Sequence, residues 1–181
     1  MASKTTTVEP LLKAISFAAR KHEGQRRKDG RTPYAAHPMR VATIAMREFG
    51  VTDVEVLTAA VLHDTIEDTT ADFDDLAAAW GPRVAGWVTA LTKDKRLGEA
   101  RREAEYFDGL EAAPVEVKLC KLADTLDNLI DAESLPPAGR AKAVKKAREI
   151  LRRFGRGWPA RWQGALDVVE ARVRGMSGRA R

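Results

Sequence analysis

A charge-free run, Val56-Leu57-Thr58-Ala59-Ala60-Val61-Leu62, leads directly into His63-Asp64-Thr65-Ile66-Glu67-Asp68. Such a run reads as a buried helix whose polar end carries one imidazole and three carboxylates against a core. Ionisable groups in that position are costly unless something compensates them. A bound cation does so, and the rest of the chain contains candidate partners for it. His37 and His63 are two of only three histidines, and Asp124 lies in a second strongly apolar stretch, Val117 to Leu129, that again delivers acids and an amide.

His37, His63, Asp64 and Asp124 together make a mixed nitrogen and oxygen donor set without thiolate. Such a set suits Mn(II), Fe(II), Zn(II) or Ni(II), with water completing the coordination. An open position of this kind is what metal-assisted hydrolysis needs. Neighbouring residues on a helix diverge by about 100°, so one ion takes both His63 and Asp64 only at the helix's inner edge, and His37 and Asp124 must arrive on other helices. Glu67 follows His63 by four residues and Asp68 follows Asp64 by four. Each acid therefore shares a face with a candidate ligand one turn away, placed to hold or deprotonate the attacking water. Taken singly the signals are weak: a His-Asp doublet is common in helices, His37-Pro38 also reads as a helix start, and Asp124 as a solvated carboxylate. The joint pattern carries the reading.

Three segments in order, Tyr34-Ala35-Ala36-His37-Pro38, Leu62-His63-Asp64-Thr65-Ile66-Glu67-Asp68-Thr69 and Lys121-Leu122-Ala123-Asp124-Thr125-Leu126-Asp127-Asn128, resemble the HD-superfamily hydrolase domain of RelA/SpoT homologues. More narrowly, the chain resembles the stand-alone small alarmone hydrolases, over about Phe17 to Leu135. The resemblance implies an all-α HD-type bundle of about eight to ten helices, one Mn(II) ion, and removal of the 3′-diphosphate from guanosine tetra- or pentaphosphate. It also implies substrate contacts. Arg27 and Lys28 match a basic pair lining the pocket near the nucleotide, and Asn128 matches an asparagine contacting sugar or phosphate. Lys93 and Lys95 lie where a phosphate-facing lysine belongs, only one of them being needed. Thr65 matches a small polar residue under the sugar and equally suits a bond to a helix carbonyl. Two departures bear on the pocket. Thr125 and Asp127 replace the usual basic residue and His or Tyr, which lowers its positive charge, and the segment Ala141 to Phe154 lacks the tyrosine that packs on the nucleotide.

With 181 residues and 44% hydrophobic content, the chain can bury one good core, and we read residues 1–181 as a single domain, with 1–8 and 175–181 flexible. The lone cysteine, Cys120, sits among Leu119, Leu122 and Ala123 as core filler and excludes a disulfide framework. The N-terminus lacks an apolar signal core, and no stretch reaches membrane-spanning length. The reading is therefore cytoplasmic, with no membrane partner. The net charge of +5 resides largely in Arg20 to Arg31 and in the tail from Lys142 onward. The first cluster suits a compact polyanion and the second a solvated face. Only Trp158 and Trp162 interleave the tail, too little for base stacking, which favours a small nucleotide over nucleic acid. A homo-oligomer and a cognate synthetase of toxin type are partners the resemblance admits. Two other functions stay open: HD-type phosphohydrolysis of another nucleotide, whether an adenosine 3′-diphosphate analogue, a 3′-phosphorylated dinucleotide or a nucleoside monophosphate, and a non-catalytic nucleotide-binding regulator, against which the intact Glu67-Asp68 pair argues.

Proline, glycine and capping residues divide the chain into helices throughout. The expected segments are Pro10 to His22, Pro38 to Phe49, a helix capped by Asp53 and running to Asp68, Phe73 to Trp80, Arg83 to Leu91, Glu99 to Leu110, Pro114 to Ser134, Arg140 to Phe154, and a last helix to Arg174. A short hairpin is allowed at Gly30 to Pro33.

Overall fold

Asp53 starts the helix on which the molecule is centred. Its backbone is extended, and its carboxylate accepts the Glu55 N–H at 2.8 Å, opening α3 (Val54–Leu62) by satisfying one of the N–H groups a helix start leaves free. Every residue from Val56 to Leu62 is buried, so α3 is enclosed on all sides and does not merely rest on one apolar stripe. Its neighbours are α1 (Glu9–Lys21), α2 (Ala36–Arg47), α5 (Phe73–Leu91) and α7 (Val115–Asp131). The α7 helix is enclosed in the same way, with Leu119 through Asp127 all buried. It packs against α2, α3, α5, α6 (Glu99–Ala112), α8 (Pro137–Phe154) and α9 (Gln163–Gly178). A computed structural model describes residues 7–178; residues 1–6 and 179–181, within the termini expected to be flexible, lie outside the described residues. Among those described there are nine α-helices and two 3₁₀ turns, with no strand beyond an isolated antiparallel bridge between Arg26 and Pro33. The fold is all-α.

The outer helices are fixed by their apolar faces and breakers. Pro10 occupies the first turn of α1, where its missing N–H costs nothing, and Ala14 and Ala18 let α1 approach α3 closely. The Trp80 indole donates to the Pro10 carbonyl at 3.0 Å and packs edge-on against Phe17, tying α5 to α1. At Gly81-Pro82 the expected interruption is a kink inside α5: Gly81 has φ 86° and ψ 160°, a conformation open to glycine at little cost.

Several boundaries differ from the sequence expectation, among them the end of α7 at Asp131, before a 3₁₀ turn, and the start of α8 at Pro137. The third helix does not run to Asp68. It ends at Leu62, and a one-turn α4 (Thr65–Asp68) follows a break at His63-Asp64. Side chains take over helix carbonyls at the break, since His63 Nδ1 lies 2.9 Å from the Ala60 oxygen and the Thr65 hydroxyl donates to the Leu62 oxygen at 2.7 Å. At the other end, α9 runs past Arg174 to Gly178, and the Ser177 hydroxyl there donates to the Val173 carbonyl and accepts from Arg148.

Candidate metal centre

The break at His63 decides the geometry of the site. A continuous helix would splay His63 and Asp64 apart, whereas the turn brings His63 Nε2 to 2.9 Å from Asp64 Oδ2. His37 comes from the first turn of α2 and Asp124 from the middle of α7. His37 Nε2 lies 3.3 Å from Asp124 Oδ1 and 3.5 Å from Asp64 Oδ2. Donor atoms of His37, His63 and Asp124 all fall within 4.8 Å of one another. His37, His63 and Asp124 thus form one cluster, and Asp64 borders it through its oxygen's distances to the two imidazoles.

Protonation follows from the partners on the far side of each ring. His63 Nδ1 faces the Ala60 carbonyl and His37 Nδ1 faces Asp127 Oδ2 at 2.6 Å. Both partners only accept, so each Nδ1 carries a proton and, in the neutral rings, each Nε2 turns its lone pair toward the carboxylates. His63 Nε2 is buried without a hydrogen-bond partner. An orphaned lone pair surrounded by carboxylate oxygens is unfavourable unless a cation sits among them, and His37, His63, Asp64 and Asp124 could hold one. Burial alone would lower the His37 pKa, but bonds to Asp124, Asp127 and Asp64 outweigh it and lift it to about 10. Without a cation Nε2 therefore also carries a proton, which a bound cation would displace to free the lone pair. Burial would raise Asp124, yet Lys121 and the two imidazoles hold it well below the usual carboxylate range.

Supporting groups surround this point. The Tyr34 hydroxyl donates to Asp64 Oδ2 at 2.6 Å, Lys121 Nζ donates to Asp124 Oδ2 at 2.6 Å, and the Asn128 amide donates to Asp124 Oδ1. Glu67 and Asp68 stand one turn along, each tied to the loop after α5. The Lys93 N–H donates to Glu67 Oε2 at 2.9 Å, and Lys95 Nζ donates to Asp68 Oδ1 at 2.7 Å.

A family model described as an HD domain matches residues 14–156. The chain belongs to the HD-domain family. Among relatives of this HD domain, the guanosine-3′,5′-bis(diphosphate) 3′-pyrophosphohydrolase MESH1 of Danio rerio is 45% identical over 130 residues, which cover 71% of this chain and 72% of that one. Its counterpart in Xenopus tropicalis is 43% identical over 163 residues, 87% of this chain and 90% of that one. A solved structure described as a metazoan ortholog of SpoT that hydrolyzes ppGpp superposes with a TM-score of 0.79 at 34% identity, covering 97% of this chain and 99% of that one.

The remaining predicted residues of the HD domain take up varied positions. Arg27 is turned inward: Nε donates to Asp131 Oδ2 at 2.9 Å and the outer guanidinium nitrogen to Asn128 Oδ1 at 3.0 Å. Lys28 is exposed, and with Arg27 and Asn128 it lines a small cavity of about 40 Å³. Thr65 is fully buried, its hydroxyl on the Leu62 carbonyl. Lys93 pairs with Glu103 and Lys95 with Asp68. A larger groove of about 1360 Å³ lies against α8, lined by Phe107, Val144 and Met176 among others, and includes none of these residues. Asp127 stands behind the pocket, 3.8 Å from the Arg27 guanidinium. It is wholly buried against His37, with Arg40 Nε at 2.6 Å. Sequence reasoning missed Asp127, Arg40, Lys121 and Tyr34 as site residues. A signal existed in the spacing, because Arg40 follows His37 by three residues and Asp127 follows Asp124 by three, the interval that puts side chains on one helix face.

Proposed function

We propose that this HD domain is a metal-dependent 3′-pyrophosphohydrolase of guanosine tetra- and pentaphosphate, releasing pyrophosphate with GDP or GTP. The observation that carries the reading is the convergence of two Nε2 lone pairs and two carboxylates on one buried point, in a chain 45% identical to an enzyme named for that reaction. His37, His63, Asp64 and Asp124 would hold a single divalent ion, for which Mn(II) suits the nitrogen and oxygen set. When bound, it supplies Lewis acidity that polarises a phosphoryl oxygen and acidifies water.

The chain's own groups do the rest. Glu67 and Asp68, steadied by the Lys93 N–H and the Lys95 ammonium, orient the attacking water and accept its proton. Lys28 and Lys93 or Lys95 meet the phosphates at the two ends of the nucleotide, so phosphate charge is matched by cations on both sides. Arg27 and Asn128 line the nucleotide side of the pocket, while Thr65, fully buried with its hydroxyl on the Leu62 carbonyl, serves the helix. Cys120, buried and unpaired, fits a cytoplasmic, reducing setting. Among the described residues no helix is long and apolar enough to cross a membrane.

The test is a panel of nucleotides bearing 3′- and 5′-phosphates, incubated with protein and Mn(II) in ¹⁸O-labelled water and resolved by mass spectrometry. Pyrophosphate and GDP should appear from guanosine tetraphosphate, without orthophosphate. Orthophosphate released from a nucleoside 5′-monophosphate at a comparable rate overturns the reading.

A further inference from the structure

His37 differs from His63 in what lies behind it. Behind His63 is a neutral carbonyl, that of Ala60, whereas behind His37 is the Asp127 carboxylate, 2.6 Å from Nδ1 and with no exposed surface. A buried carboxylate is retained only where partners compensate its charge. The partner here is Arg40, one turn beyond His37 on α2, whose Nε lies 2.6 Å from Asp127 Oδ1. The other arm of Arg40 reaches Asp131 Oδ1 at 2.8 Å, and Asp131 Oδ2 in turn accepts from Arg27. The guanidiniums thus balance the charge of the carboxylate, and the carboxylate, through its hydrogen bond to Nδ1, fixes the ring.

We propose that Asp127, held by Arg40, is the positioning residue for the metal centre of this chain. It keeps the proton of His37 on Nδ1, aims the Nε2 lone pair at Asp64 and Asp124, and raises the basicity of that nitrogen toward a cation. Two properties follow from the physics. An anionic acceptor makes a stronger bond to N–H than a carbonyl does, so His37 is the better anchored of the two imidazoles. Removing the anion also weakens cation binding without removing a ligand, the behaviour typical of partners standing behind a metal-bound histidine. Asn at 127 still offers an acceptor oxygen but no charge, and Leu offers neither.

The assignment rests on the metal-dependent reading above, and three variants separate the two. Asp127→Asn, Asp127→Leu and Arg40→Gln are compared with wild type by Mn(II) titration, following free Mn(II) by electron paramagnetic resonance, and by long-range ¹H–¹⁵N correlation of the His37 ring. Asp127→Asn should weaken Mn(II) binding about tenfold and Asp127→Leu about a hundredfold, the graded loss marking a role in the charge and bond to His37. Arg40→Gln should fall between wild type and Asp127→Asn. The His37 ring should keep its Nδ1 proton in wild type and Asp127→Asn, and sample both tautomers in Asp127→Leu. If Asp127→Leu does not fold, the asparagine variant still decides. Wild-type Mn(II) affinity in a folded Asp127→Asn overturns the positioning role while leaving the hydrolase reading intact. No Mn(II) uptake by wild type overturns both.

Discussion

Lys121 and a divalent cation compete to neutralise the same carboxylate, which makes Lys121→Met an incisive perturbation. Lys121 Nζ lies 2.6 Å from Asp124 Oδ2, both side chains are 9% exposed, and the ammonium sits 5.4 Å above the Tyr106 ring. The opposite oxygen, Oδ1, faces His37 Nε2 and His63 Nε2. Methionine fills the same space against the ring, so the loss is electrostatic. Without a cation, Asp124 is left as a buried charge deprived of its main partner, at a cost of about 3–5 kcal/mol. With a cation on Oδ1 its charge is answered, and the loss falls to that of one charged hydrogen bond, about 1.5–3 kcal/mol. For a chain of this size each kcal/mol moves the melting temperature by about 2–4 °C. The variant should therefore melt roughly 6–20 °C lower in chelator and about half as far below wild type in saturating Mn(II). Closing the thermodynamic cycle, the difference of about 1.5–2 kcal/mol must appear as Mn(II) binding roughly 10–30-fold tighter in the variant. Calorimetric melts with and without Mn(II), with a direct titration, measure both sides of the cycle. Equal melting shifts in the two conditions, with unchanged affinity, would refute the competition.

Three further outcomes test other parts of the argument. Glu67→Gln keeps the hydrogen bond from the Lys93 N–H while losing the base, so Mn(II) content and nucleotide affinity should persist as turnover falls about 10²–10⁴-fold; loss of the ion instead would make Glu67 a ligand. Leu62→Ala removes a fully buried side chain next to His63; it should cost about 2–5 kcal/mol in denaturant unfolding, and a cost under 1 kcal/mol would contradict the enclosure of α3. Lys146 lies on the exposed side of α8, and the Lys121 charge, desolvation and the Lys93 charge depress its pKa to about 8 against the opposing pull of Asp124 and Glu103. Its folded pKa lies below the unfolded value, so the unfolded chain holds more protons between about pH 8 and 10.4, and wild-type stability rises through that window. Lys146→Met should accordingly raise the melting temperature at pH 7 by about 2–4 °C, allowing for solvent screening. The gain should vanish above pH 10; a gain independent of pH would point to packing instead of charge.

Helix content, most boundaries and the residue types of a possible metal cluster were legible in the chain, because each rests on local chemistry. Asp53 caps, Pro10 opens, Gly81 kinks, and the charge-free run to Leu62 demands enclosure whatever surrounds it. Histidines and acids at the polar ends of apolar segments announce a cation by residue type alone. Side-chain partnerships were not legible, since they depend on which helix faces meet. Asp127 looked like no more than a change in pocket charge until α2 and α7 brought it against His37, a residue 90 positions away. Arg27 looked like a free nucleotide contact until Asp131 and Asn128 drew it inward across more than a hundred residues. The break after Leu62 depends on bonds that the His63 and Thr65 side chains make to the helix's own carbonyls, and periodicity does not register them. The sequence by itself determined what the chain must bury and which groups could bind an ion. Only packing decided which charges compensate one another, because a buried charge is tolerated according to its neighbours in space.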